Sequence, residues 1–455
     1  MAMEKAERAV ALRKEIWIIA VPAVVESLFN TFSSIIDSRM ISRVGTEAIA
    51  AISVTNQPKL FVYCIFFALN TALSALVAHA VGAKDQRKAN QLAATAMAIT
   101  VALSLVLGAL CAGLAGPIMQ VCSGQADTMA LSVGYFQIIM TSMVFNTSFM
   151  VINAALRGSG CTKVTMTTNI ASTLVHIALN FFVIEGRFGA PRLGVMGAGI
   201  STVVGTVVAL GISLYKLMDE SQFVNLRFIL AERIRFSGEA TRELYDLWKN
   251  ICLENLLTRV GYLLASIMTA RTGSVDTSIY HVTLNLMNVN FAIGDGLQVA
   301  SVALVGRSVG KGDVRDVRLY TNTIFSAGLG CAIVLAALYV LGGHFYYGLF
   351  SDDPAFVSRG FIAGVIVAGM TPFQIPQIIY NGVLKCMDCT RQTLYITIFT
   401  VTFLNVALDY VLCFTLGLGL WGILGATVVT QVTRATMLHF VYRKHLRLME
   451  AGQVA

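Results

Sequence analysis

Residues 153–162 read N-A-A-L-R-G-S-G-C-T, and residues 381–390 read N-G-V-L-K-C-M-D-C-T. Asn153, Leu156, Cys161 and Thr162 thus recur as Asn381, Leu384, Cys389 and Thr390 at an offset of 228 residues. The same offset carries Glu26 onto Glu254, Met40 onto Met268, Arg43 onto Arg271 and Gly45 onto Gly273. It also carries Val77, Val81, Gly82, Asp85 and Arg87 onto Val305, Val309, Gly310, Asp313 and Arg315. One offset sustained over more than half of each copy marks a tandem duplication. Towards the end of each copy the register drifts. An offset of 229 pairs His176 with Asn405 and Asn180 with Asp409, and an offset of 225 pairs Thr202 with Thr427. The four-residue loss falls in the loop 181–192, longer in the first copy, where insertions are tolerated.

The duplicated chain belongs in a membrane. It is 56% hydrophobic and 13% charged, and a soluble domain would carry about twice that charged fraction. Apolar runs at 92–119, 195–215 and 323–343 are each long enough to cross a hydrocarbon core of roughly 30 Å. Twelve spans are expected, six per copy: 15–43, 49–82, 90–116, 127–156, 163–188, 193–218, 243–271, 276–310, 317–343, 356–386, 391–416 and 420–444. The fold class is therefore an all-α integral membrane protein. It divides into an amino-terminal six-helix lobe (1–218), a charged cytoplasmic linker (219–242) and a carboxy-terminal six-helix lobe (243–455). An even number of spans per copy gives both lobes the same orientation, related by a pseudo-two-fold along the membrane normal, with the substrate path between them.

Lys and Arg set the orientation, because cytoplasmic segments are enriched in them. With the amino terminus inside, the inner segments hold 25 of the 33 basic residues. The outer segments hold six (Arg39, Arg43, Arg187, Arg192, Arg271 and Arg359), and Lys59 and Arg259 lie within spans. Both termini are thus expected in the cytoplasm of a cell membrane, and the net charge of +8 needs no nucleic acid partner. The first span is long and no early cleavage pattern follows it, so it is expected to stay as an anchor. Cys386 and Cys389 form a lone C-x-x-C without a second pair or a His cluster, so neither a metal site nor disulfides are expected.

Ionisable groups at membrane depth are the candidates for function: Glu26, Asp37, Lys59, His176, Glu254, Arg259, Asp295 and Asp409. Glu26 and Asp37 lie eleven residues apart in the first span, about three helical turns or some 16 Å along one face. Pro22, four residues before Glu26, can bend or weaken that helix. Between copies Glu26 is kept as Glu254, Asp37 becomes Ala265 and Asn180 becomes Asp409. The lobes thus share a scaffold but not a site, and a division of labour between coupling ion and substrate is expected. The stretch 281–298 carries His281, Asn285, Asn288, Asn290, Asp295 and Gln298, a polar stripe that must line water or the partner lobe. Glu26, Glu254, Asn285, Asp295 and Asp409 are assigned to the substrate cleft. The loops V-G-A-K-D-Q-R-K (81–88) and V-G-K-G-D-V-R-D (309–316) read as helix ends followed by charged turns, not phosphate cradles. Walker A, H-E-x-x-H and G-x-S-x-G sequences are absent, which excludes a primary pump and weakens the reading as an enzyme.

The order and doubling of these motifs resemble the multidrug and toxic compound extrusion (MATE) transporters. The resemblance rests on Pro22 to Gly45 with Asp37, the paired V-G-x-x-D loops, the stretches 153–162 and 381–390, and Leu193-Gly194-x-x-Gly197 with Leu418-Gly419-x-x-Gly422. It implies a monomeric secondary antiporter, without cofactor, that exports small organic and often cationic molecules through a central cleft in exchange for protons or sodium ions. It places the coupling-cation site at Asp37, His176, Asn180 and Thr202. The family commonly has Asn where this chain has His176, and a protonatable imidazole in place of an amide oxygen tilts the expectation towards protons. Glu254 matches an acidic position on the seventh helix of part of the family. A flippase for lipid-linked sugars from the same superfamily would need a cleft rich in bases, and a membrane-embedded transferase would need a clustered acid and His site. Mid-span bases here are Lys59 and Arg259 only, so organic cations fit better.

Overall fold

The repeated motifs close one helix and start the next at equivalent places in both halves of the chain. The computed structural model describes residues 2–122, 126–184, 186, 189, 191–234 and 236–452, with side chains from Leu12 onward except Thr46, Ala126 and Asp127. Arg187, counted in the outer segments, and Arg235, one of the 25 basic residues of the inner segments, lie outside the described residues. In chain order the α-helices are α1 Ala2–Ser42, α2 Thr46–Gly82, α3 Gln86–Gly113, α4 Ala115–Cys122, α5 Ala126–Thr141, α6 Met143–Gly158, α7 Thr162–Val183 and α8 Gly194–Leu217. They continue as α9 Leu226–Ala231, α10 Gly238–Ala270, α11 Ser274–Gly310, α12 Val314–Gly348, α13 Pro354–Cys386, α14 Thr390–Thr397, α15 Val406–Tyr410 and α16 Leu420–Glu450. Two π-helical runs, Ile398–Asn405 and Val411–Thr415, flank α15.

Four equivalent helix ends close in the same way. The Leu156 carbonyl accepts from the Cys161 N–H at 2.8 Å, and the Leu384 carbonyl accepts from Cys389 at 2.9 Å. The repeated Leu and Cys of the opening motif are thus the two ends of one hydrogen bond, the long bond of a Schellman terminus. The V-G-x-x-D loops do the same: Asp85 N–H bonds to Ala80 O at 2.9 Å and Asp313 N–H to Ser308 O at 3.0 Å. Each Asp then caps the next helix, with Asp85 accepting from Lys88 N and Asp313 from Arg315 N and Asp316 N. That satisfies amides which a helix start leaves without partners.

Ten helices among the described residues are long and apolar enough to cross a membrane, and the bent pair α5–α6 makes eleven. The twelfth expected span is a helix, α16, but it carries Gln431, Arg434 and His439 inside the segment expected to cross. The fourth expected span is not one rod. α5 and α6 meet at 47°, where Ser142 Oγ bonds back to the carbonyls of Ile138 and Ile139 at 2.7 and 3.2 Å. Such back-bonding competes with the helix ladder and bends it.

The chain forms two compact units, Phe29–Trp248 and Met1–Leu28 with Lys249–Ala455. In the first, Leu73, Leu92, Ile152 and Leu156 form one core and Phe66, Phe136, Met140 and Met143 another. In the second, Ile16 and Ile19 of α1 join Leu297, Leu304, Ile375 and Leu384. Residues 1–28, expected in the amino-terminal lobe, thus pack with residues 249–455. Glu15 helps to hold them there, accepting from Arg307 Nη1 and from the Tyr320 hydroxyl, each at 2.6 Å.

The helix pair α7 and α14–α15 shows how a one-residue difference is absorbed. The repeat offset is 228 at Thr162/Thr390 but 229 at His176/Asn405, so the second copy has gained one residue in between. The first copy is a continuous α-helix there, whereas the second is π-helical over Ile398–Asn405. A π turn closes its hydrogen bond one residue later than an α turn, so it takes up the extra residue without breaking the span.

The four Schellman ends share a left-handed residue: Lys84 (φ 59°) matches Gly312 (φ 70°), and Gly160 (φ 88°) matches Asp388 (φ 56°). Glycine adopts this conformation freely and other residues do not. Lys84→Gly and Asp388→Gly are each expected to raise stability by about 0.5–1 kcal/mol, with the larger gain at Lys84. Thermal unfolding in detergent checks this; an unchanged or lower midpoint for both variants contradicts it.

Candidate functional site

Asp37, near the end of α1, meets α7 and α8 inside the unit Phe29–Trp248. Its Oδ1 accepts from Asn180 Nδ2 at 2.9 Å, and its Oδ2 lies 3.7 Å from His176 Nδ1. Asn180 Nδ2 also lies 3.1 Å from His176 Nε2, and Thr202 Oγ1 lies 3.2 Å from the same nitrogen. His176 and Asn180 are one turn apart on α7, so they share a face. α8 comes close because Gly205 has no side chain: a Cβ there would sit 3.0 Å from His176 Cβ. Tyr135 of α5, buried, stands within electrostatic range of Asp37. The sequence reading did not include Tyr135 or Gly205, whose relevance comes only from helix packing.

The donors and acceptors fix the proton arrangement of this cluster. An amide nitrogen only donates, so an ionised Asp37 holds Asn180 with Nδ2 inward, and His176 Nε2 accepts. The ring proton of the neutral imidazole then sits on Nδ1, facing Asp37. Thr202 donates its hydroxyl hydrogen to Ala198 O at 2.9 Å, which leaves its oxygen free to accept when Nε2 gains a proton. Asn180 is 1% exposed, and its Oδ1 has no hydrogen-bond partner among the described residues. Adding one proton therefore rearranges several bonds at once.

Glu254 of α10 lies in a different setting. Its Oε1 accepts from Asn381 Nδ2 at 2.7 Å and Arg434 Nη2 at 3.2 Å, and its Oε2 faces Thr393 Oγ1 at 3.3 Å and Lys385 Nζ at 3.5 Å. Glu254 is 2% exposed, and both bases are buried with it. Lys385 and Arg434 are therefore not solvated charges of the cytoplasmic face, as the sequence count has them. Lys385 stands in the last turn of α13, and Arg434 lies inside α16. The retained pair Glu254 and Asn381 was the available signal, since both residues recur across the repeat.

The polar stripe of α11 divides in two. Asn290 is fully buried and donates to Thr371 Oγ1 at 3.0 Å and Gln374 Oε1 at 2.9 Å, while the Tyr339 hydroxyl donates to its oxygen at 3.0 Å. Gln298 donates to Ile378 O at 3.2 Å. These two amides hold helices together, each such bond contributing of order 0.6 kcal/mol in a membrane. His281, Asn285, Asn288 and Asp295 are exposed. Glu26 is buried and belongs, with Glu254, Asn285, Asp295 and Asp409, to the unit of residues 1–28 and 249–455. The structure thus places Glu26 and Asp37, neighbours along α1, in different compact units. α1 runs unbroken through Pro22. Asp409 of α15 is wholly enclosed, with Asn405 Nδ2 donating to its Oδ2 at 2.7 Å.

Comparison with known proteins agrees over the whole chain. The family profile described as MatE matches residues 22–182 and 251–411, one block in each half. The chain is similar to the "Probable multidrug resistance protein NorM" of Thermotoga maritima, 21% identical over 429 residues, covering 94% of this chain and 91% of the relative. It is similar to the "Multidrug resistance protein PmpM" of Pseudomonas aeruginosa, 24% identical and covering 96% and 94%. Its fold matches a solved structure described as the outward-facing conformation of a multidrug resistance MATE family transporter of the MOP superfamily. That match has a TM-score of 0.89 at 16% identity and covers 97% of both chains.

Removing one partner of a buried ion pair strands the other. Glu254→Gln leaves Arg434 and Lys385 buried without a counter-charge and is expected to cost about 3–5 kcal/mol. A second change, Arg434→Met, should recover part of that loss. Thermal unfolding of the single and double variants in detergent measures both effects.

Proposed function

The chain belongs to the MatE family of multi-pass membrane transporters, and from that premise we propose that it exports small organic cations in exchange for protons bound at Asp37 and His176. The observation that carries this reading is the hydrogen-bonded set Asp37, Asn180, His176 and Thr202. It places two titratable groups on one amide whose oxygen has no hydrogen-bond partner among the described residues.

A proton arriving at Asp37 turns a carboxylate acceptor into a donor. Asn180 Oδ1 becomes the better face of the amide, and its turning withdraws Nδ2 from His176 Nε2. A proton arriving at His176 instead is held between Asp37 and the Thr202 oxygen. The two groups titrate as a pair, and either event changes how the end of α1 is tied to α7. α1 contains Pro22, where a backbone hydrogen bond is missing, so the change in tethering is released as bending there. Bending on the outward-facing side disfavours the substrate, and the return inward delivers the proton to the cytoplasm. One positive charge moving inward supplies about 2.3 kcal/mol per 100 mV, enough for roughly 50-fold accumulation. Protons are favoured over sodium because an imidazole nitrogen is a poor ligand for a hard cation that prefers oxygen. The excess of Lys and Arg on one set of loops supports cytoplasmic termini, and the protein acts as a monomer in the bilayer.

Efflux of organic cations from inverted vesicles, with pH and sodium gradients imposed separately, tests this directly. The pH gradient alone should drive transport. Asp37→Asn should abolish coupled efflux while thermal unfolding stays unchanged, and full transport by that variant overturns the reading. His176→Asn restores an amide oxygen and is expected to add stimulation by sodium.

A further inference from the structure

We infer that Asp409 is a second proton-binding site, separate from Asp37 and built into the unit of residues 1–28 and 249–455. The carboxylate is 0% exposed. One hydrogen bond reaches it, from Asn405 Nδ2 to Oδ2 at 2.7 Å, and its Oδ1 has no hydrogen-bond partner among the described residues. Glu254, in the same unit, is answered by two cations, whereas Asp409 has no ion pair among the described residues. A buried carboxylate with one neutral donor carries an uncompensated charge, which costs far more than a buried neutral acid. Binding H+ to give the neutral carboxylic acid removes that charge.

Among the described residues no cation pairs with it. Tyr410 follows it on α15, the Cys413 thiol lies one turn on in the π-helical run, and Tyr280 of α11 stands within electrostatic range. Behind these stand Tyr262 of α10, itself within electrostatic range of Arg259, Arg434 and Asp295, and Asp276, which is paired with Arg359. The π-helical runs carry no Lys, Arg, His, Asp or Glu, and neither does α16 before Arg434. Full enclosure leaves no room for an organic cation, and the contact recorded at the carboxylate is an amide N–H donor rather than the set of oxygen ligands a metal cation needs, which leaves the proton.

The duplication shows how the site arose. Asp37 of the first copy is replaced by Ala265, while Asn180 and His176 are replaced by Asp409 and Asn405. The acid has moved from one helix to the other but still sits beside an amide. It stands between two π-helical runs, Ile398–Asn405 and Val411–Thr415, a distortion that clusters at functional positions. The consequence for transport, a second proton carried per cycle, rests on the proton-coupled reading above; the binding itself does not.

Infrared spectroscopy of the purified protein in detergent tests the binding. At neutral pH the wild type should show a protonated-carboxyl band that shifts in heavy water, that Asp409→Asn loses and that Asp37→Asn keeps. If Asp409→Asn folds and removes a carboxylate band instead, Asp409 is ionised and the inference fails. It fails equally if replacing choline chloride by sodium chloride abolishes the band, since the site then holds sodium. Asn405→Leu keeps the acid and should move the pH at which the band disappears, which covers the case in which Asp409→Asn does not fold. In proteoliposomes Asp409→Asn should lower the proton-to-substrate ratio to about half. Full coupled transport by Asp37→Asn with the Asp409 band intact would overturn the functional reading and leave this site standing.

Discussion

At membrane depth there is no water to answer a charge or a free backbone group, and the buried carboxylates of this chain are arranged under that constraint. Three carboxylates show three solutions. Glu254 is matched by Lys385 and Arg434 and by two neutral donors, so it is fixed. Asp37 faces an amide and an imidazole and keeps some exposure, the setting on which the proposed proton exchange rests. Asp409 is enclosed with one amide, the setting on which the inferred second site rests. The degree of compensation, not burial alone, distinguishes the three.

The duplication gave both halves the same helix ends and then let their interiors diverge. Leu156 with Cys161 and Leu384 with Cys389 keep the same closing hydrogen bond because a helix end must satisfy its carbonyls whatever the lobe does. No such demand applies to the interior, where Asp37 and Ala265 occupy equivalent positions. A single added residue in the second copy turned a regular helix into one with π-helical turns around Asp409. The scaffold was preserved by backbone chemistry, and the chemistry of the sites was free to move from one helix to another.

Much of this was legible in advance. The repeat, the helical spans and the reading of the V-G-x-x-D loops as helix ends with charged turns follow from local rules, since helix termini and hydropathy act over a few residues. Asp37, His176, Asn180 and Thr202 were named as one set through family resemblance, and their hydrogen bonds supply the geometry. Counting Lys and Arg by segment gives Lys385 and Arg434 to the inner segments but cannot tell a base in water from a base on a carboxylate, and both are paired with Glu254. The bend between α5 and α6 escaped notice because Ser142 looks like any other small polar residue in an apolar run.

The sequence by itself determined that the chain is a duplicated, all-helical membrane protein, because the repeat and the apolar runs are read directly along the chain. Which acid is neutralised, which is shared and which is left alone was decided only by the tertiary structure. Glu254 meets Arg434 across 180 residues and Asp37 meets Asn180 across 143, and the energy of a buried charge depends on such distant partners rather than on its neighbours in sequence.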